Sequence, residues 1–247
     1  MGLFDKYKAY QETRQEKKIE KAAKLLKNPK AIKDDRWAAL NFLADGAEGA
    51  ERVVQAILPR FEYSLEHGIL DSREKDIALK GLIRFGEEGI PTIESWIQKT
   101  DRIAWPIKAL KEVSSEKQLV ESLKSALTFE DVRFDQAKVD KNYDILCYLR
   151  DYKLVGYEDK ISYFLNDVDE RVRFAAAEAL IEQESDQVPA LLEPFLLDST
   201  VENRRIKEAT ILAFMKHNWA VGAKDKFPEG FVSERVKLDS KGHLVGR

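Results

Sequence analysis

Apolar positions along this chain recur in steps of three and four residues, and polar, glycine- or proline-bearing stretches interrupt them at intervals. In the segment 169–197, DERVRFAAAEALIEQESDQVPALLEPFLL, residues Val172, Ala176, Ala179 and Leu180 fall at i, i+4, i+7 and i+8, one face of a helix. Asp169 precedes that face as an N-cap. After the polar EQESDQ, a second stripe runs through Val188, Leu191, Leu192, Phe195 and Leu196. Pro189 stands near its start, where a missing N–H costs nothing. The segment predicts two amphipathic helices joined by a short turn.

The unit recurs. In DSREKDIALKGLIRFGEEGIPTIESWIQ, a helix starting near Asp71 leads through Ala78, Leu79 and Leu82 to a polar break, then to Ile90, Pro91, Ile93 and Ile97. Weaker copies begin at DDRWAALNFLADGAEG, DRIAWPIKALKEVSSEKQ, DKNYDILCYLRDYKLVG and ENRRIKEATILAFMKHN. The last large apolar residues of the first helices are then Leu43, Leu82, Leu110, Leu149, Leu180 and Leu212. Their spacing averages about 34 residues, the period of a helical repeat array. Uneven spacing points to inserted loops, notably TFEDVRFDQAKV (128–139).

The stretch DVDERVRFAAAEAL (167–180) resembles the Asp-x-x-x-Val-Arg-x-x-Ala-Ala-x-Ala-Leu pattern of HEAT and HEAT-like repeats. The match is partial at 71–82 and 202–212, and the resemblance covers roughly 30–222 as an array. It implies an all-α protein, a right-handed α-solenoid of about six stacked helical hairpins. Residues 1–30 form a basic N-terminal helix, 31–222 the array, and 223–247 a short irregular or β-hairpin tail around the turn-forming DSKG. Small Ala175, Ala176, Ala177 and Ala179 let helix axes approach, and stacking buries stripes that one hairpin cannot bury alone. Arg171 and Arg173, in the first turn beside Asp167, Asp169 and Glu170, read as a structural ladder ahead of a ligand-contacting row. Arg36, Arg73, Arg102, Arg204 and Arg205 occupy comparable places.

Charge changes the picture at one end only. The formal net charge is −3, and residues 1–33 hold ten Lys or Arg against four Asp or Glu. On the N-terminal helix Ile19, Ala22, Ala23 and Leu26 make a narrow apolar stripe flanked by Lys17, Lys18, Lys21, Lys24 and Lys27. The first reading is a cap that seals the array with its lysines in water. The second is a docking arm for an acidic protein, nucleic acid or anionic lipid. The acidic remainder disfavours a nucleic-acid groove along the array.

Composition bounds the rest: 44% hydrophobic and 34% charged residues, with one cysteine, exclude an internal disulfide and a multi-cysteine metal site. No secretory signal or membrane-length apolar run is visible, so a cytoplasmic protein is expected. His67, His217 and His243 lack partners at ligand spacing and read as surface or capping residues, and Cys147 as a buried small hydrophobe. The glycines of GAEGAER and FGEEGIP read as turns, without phosphate-loop form. Asp34–Asp35 and Glu87–Glu88 stand where helices begin and suit the helix dipole.

Most aromatics read as packing between hairpins. Arg102 and Trp105, near Asp101, form the sequence-local grouping to test for partner contact. The leading expectation is a non-enzymatic scaffold without cofactors. It would bind a protein or peptide through a concave face lined by second helices near 90–99, 117–127, 157–165 and 188–197. A nucleic-acid-binding protein related in architecture to the alkylpurine DNA glycosylases is the alternative. A bilin-lyase-like protein is the remote one.

Overall fold

The computed structural model describes residues 3–130, 135–183, 185–198, 200–227 and 230–246. It is mostly helical and divides into two compact units, Met1–Ala126 and Leu127–Arg247. Part of the expected 128–139 insertion lies outside the described residues.

The first unit opens with α1 (Leu3–Leu26), whose C-terminal half lays Ile19, Ala22 and Leu26 against α2 (Lys33–Asn41) and α3 (Ala50–Ile57). A π-helical turn, Phe42–Gly46, follows α2, and a 3-10 turn, Leu58–Glu62, follows α3. Next, α4 (Gly68–Ile83) begins three residues ahead of Asp71, because His67 caps it and accepts a hydrogen bond from the Leu70 N–H at 3.4 Å. Its neighbours are α2, α3 and α6 (Ala104–Val113), while α5 (Ile90–Lys99) packs on α6 and α7 (Glu116–Ala126). Pro91 sits in the first turn of α5, as its missing N–H favours. Leu40, Leu43, Ile57, Leu82, Ile93, Ile107 and Leu110 are fully buried. Gly81 sets the approach of α4: a Cβ there would stand 2.8 Å from Ile57 Cδ1 and 3.2 Å from the Ala44 Cα.

In the second unit α10 (Glu170–Ile181) packs between α8 (Gln136–Leu149) and α13 (Arg204–His217). Asp169 caps α10, accepting from the Arg171 N–H at 2.8 Å. Ala175, Ala176, Ala177 and Ala179 are all buried on it. The short second helices are α9 (Glu158–Ser162), running into a 3-10 turn at Tyr163–Asn166, then α11 (Val188–Leu192) and α12 (Pro194–Leu197). The stripe expected as one helix over 188–197 is therefore divided at Glu193–Pro194. Buried amides order the connections: Asn142 exchanges two hydrogen bonds with the backbone of Thr128, and Gln183 binds Leu154 N–H, Tyr152 C=O and Ala179 C=O.

Two expectations change. Leu212 does not end a core stripe; it is 67% exposed, because α13 buries Ile206, Thr210, Ala213 and Phe214 on the opposite side. The tail is more than a hairpin. Strands β2 (Val236–Leu238) and β3 (Leu244–Gly246) pair in antiparallel register around DSKG, and β1 (Phe231–Ser233) adds a third strand beside β2. The Asp239 carboxylate orders the turn by accepting from the Lys241 and His243 N–H groups. The Glu193 carboxylate pins the start of the tail, accepting from Gly222 and Ala223 N–H at 2.7 Å each.

Candidate functional site

Charged side chains fall into two kinds here, those that meet partners and those that meet water. The outer face of α1 holds the second kind. Lys17, Lys18, Lys21 and Lys24 are all exposed, opposite the buried Ile19, Ala22 and Leu26. Toward the N-terminus Arg14 is exposed too, with Tyr7 at 62% and Tyr10 at 64% of full exposure. The acids of α1 lie elsewhere: Glu12 and Glu16 face an open cleft of about 490 Å³ beside Glu48 and Glu51 at the start of α3, where Glu16 pairs with Arg52. None of Arg14, Lys17, Lys18, Lys21 or Lys24 has an ion-pair partner among the described residues.

The opposite case is a knot of buried charge in the same unit, which the sequence did not reveal beyond Arg36. Glu74 on α4 is fully buried and receives the Nε of Arg36 at 2.9 Å and of Arg60 at 2.7 Å. Arg60 reaches on to Asp71 at 2.7 Å, and Lys75 closes the set on the same carboxylate at 2.7 Å. Spare guanidinium donors go to the carbonyls of Ala31 and Tyr63. Burial pushes the Asp71 carboxyl up, but hydrogen bonds from Lys75, Arg60 and the Leu65 N–H outweigh it and hold the group below its ordinary range. The hydrogen bond from Arg36 to Glu74 outweighs burial and raises the guanidinium above its ordinary value. Tyr63 packs its ring under Arg60 at 4.5 Å, and its buried hydroxyl has no partner among the described residues.

Arg102 and Trp105 part company in space. Arg102 is exposed, whereas the half-buried Trp105 ring stacks on Phe61 at 5.9 Å with Lys108 Nζ 4.4 Å from its centroid.

In the second unit the arginines of α10 each join two segments. Arg171 binds Asp169 in its own turn and Asp140 on α8, both at 2.8 Å, which drives its guanidinium above the ordinary value. Arg173 donates to the carbonyls of Asp167 and Val168 and to Asn203 Oδ1 at the start of α13. Arg205 on α13 returns toward Glu170 at 3.9 Å, its guanidinium 4.1 Å from the centroid of the Phe174 ring.

Cys147 on α8 is only half-buried, a correction to the buried position expected for it, since it lies off the stripe of Ile145, Leu146 and Leu149. Burial still pushes its thiol up, the reverse of what nucleophilic activation requires. Nearby, burial and then Asp140 push the Asp144 carboxyl up.

The second helices carry exposed apolar groups, Tyr163 at 48% and Leu197 at 41%. Tyr163 packs edge-on against Phe129 and Phe164, and its hydroxyl donates to the Phe129 carbonyl at 2.6 Å. An open cleft of about 620 Å³ lies between α13 and the β1–β2 turn, over Ile211, Leu212 and Val236.

Among the described residues, no group of three or more His, Cys, Asp or Glu side chains could hold a metal ion. No helix among them is long and apolar enough to cross a membrane. Comparison with family models, with curated proteins and with solved structures finds no match to this chain.

Proposed function

We propose that the chain is a HEAT-like repeat scaffold, a right-handed α-solenoid of about six hairpins that acts by binding a protein or peptide partner rather than by catalysis. The observation that carries this reading is the serial packing of α8, α10 and α13, with arginines of α10 reaching to Asp140 on α8 and to Asn203 at the start of α13. Repeat arrays bury their stripes through neighbours in this way and leave one face of second helices for partners. Tyr163 and Leu197 supply the exposed aromatic and aliphatic anchors on that face.

The test captures polypeptides on the full chain and maps the footprint of the retained partner by hydrogen exchange. Protection at 158–166 and 188–197, lost in the Leu197→Asp variant at unchanged melting temperature, is the expected result. Protection confined to the first helices, or no retained polypeptide, contradicts the reading.

A further inference from the structure

Tyr7, Tyr10, Arg14, Lys17, Lys21 and Lys24 follow one another at intervals of three, four, three, four and three residues. At about 100° per residue, that alternation keeps all six on one seam of a helix, within an arc of about 100°. The seam runs along α1 on the side away from Ile19, Ala22 and Leu26, and every one of its side chains is exposed. It contains no acid. Glu12, Glu16 and Glu20 lie on a different flank, two of them at the cleft beside α3.

We propose that this outer seam of α1 is a binding rail for single-stranded nucleic acid: the four cations take phosphates, and Tyr7 and Tyr10 stack on unpaired bases. The inference does not rest on the scaffold reading, which places a protein partner on other helices.

Three observations favour this occupant. First, the cations are unpartnered among the described residues, so a phosphate chain displaces no internal ion pair. Second, exposed tyrosines one helical turn apart continue the line of cations, the combination of stacking platform and positive track that unpaired strands use. Third, between Arg14 and Lys24 the seam offers no aliphatic residue, so it lacks the apolar face that an interfacial membrane helix buries in lipid. A helix rises about 1.5 Å per residue, which makes the seam about 26 Å long. At about 3.4 Å per stacked nucleotide, that length spans about eight nucleotides. With −9 net charge outside residues 1–33, the rest of the chain repels the strand and confines it to this helix.

The experiment titrates the full chain into a fluorescent oligothymidylate of about eight nucleotides at low salt and follows anisotropy. Saturable binding is expected, weakened about tenfold or more by Tyr7→Ala/Tyr10→Ala, since each stacked base contributes that much. Arg14→Gln/Lys17→Gln/Lys21→Gln/Lys24→Gln should abolish it, while Lys111→Gln/Lys117→Gln, exposed lysines of α6 and α7, should leave it unchanged. Circular dichroism melts of each variant verify that α1 and the body remain folded. Absence of saturable binding, or binding indifferent to the seam substitutions, overturns the proposal. So does equal affinity for a polyglutamate peptide of the same charge or for phosphatidylcholine–phosphatidylserine vesicles, either of which would assign the rail to an acidic protein or to lipid.

Discussion

The two units solve the same problem, placing arginines at helix junctions, in opposite dielectric settings. In the first, Arg36 and Arg60 converge on Glu74 with almost no solvent contact. In the second, Arg171 bridges Asp140 and Asp169 with about half of its own side chain exposed. Coulomb attraction is strong in the interior and weak at the surface, and desolvation follows the same order. A buried knot is thus costly to break even where forming it gains little, whereas a surface ladder sets register at small cost. Charges on the outer seam of α1 belong to neither class, having no ion-pair partner among the described residues.

The comparison is broken most severely at Glu74. Glu74→Gln leaves the buried Arg36 without a carboxylate and Arg60 with Asp71 alone, and a loss of about 3–5 kcal/mol is expected in urea unfolding of the full chain. A loss below about 1 kcal/mol would place the knot in the surface class. Next in size is Gly81→Ala. Helix propensity favours alanine by about 1 kcal/mol, but overpacking against Ile57 and the Ala44 backbone costs about 1–3 kcal/mol. A net destabilisation of about 1 kcal/mol is expected, and a gain would show that α3 and the π-turn yield freely.

Arg171→Ala should cost no more than about 1 kcal/mol, with the difference shrinking as salt is added. A salt-independent loss as large as that at Glu74 would erase the contrast between the units.

The smallest effect has the opposite sign. Burial holds the Asp144 carboxyl above its unfolded value, so its ionised form burdens the folded state at neutral pH. Asp144→Asn should raise the melting temperature at pH 7. The gain should fade as pH falls through the folded pKa and vanish below about 3.9, where the unfolded carboxyl is protonated too. A gain that persists in acid would have another cause.

What the sequence revealed and what it concealed follow the same physics. Local chemistry was legible: Asp169 as a cap, Pro91 and Pro189 in first turns, the paired strands around DSKG, and the buried stripe of α1 with its lysines outside. Each is decided within a few residues. The knot was not, because Arg36 and Glu74 stand 38 positions apart and a lone glutamate in a charged helix carries no mark of burial. Leu212 and Cys147 misled because an apolar letter near a stripe does not say which side of the helix it occupies. β1 escaped because the Glu234–Arg235 turn joining it to β2 carries none of the Gly, Asn or Asp residues that marked the DSKG turn between the equally short β2 and β3.

For the candidate surfaces, the lysines of α1 were visible as an excess of charge. Their alignment with Tyr7 and Tyr10 emerged once the bounds of the helix and its buried side were fixed. Arg102 and Trp105, three positions apart in the chain, face different surroundings because Phe61 claims the indole ring.

The account holds that partnered charges build this molecule and unpartnered ones are left for binding. The most direct test measures the melting temperature and the oligothymidylate affinity of Arg14→Gln/Lys17→Gln/Lys21→Gln/Lys24→Gln side by side with those of Glu74→Gln. The account predicts that the first variant melts like wild type and no longer binds, and that the second melts far earlier yet binds like wild type below its transition. A seam variant that loses stability, or that keeps its affinity, would contradict it.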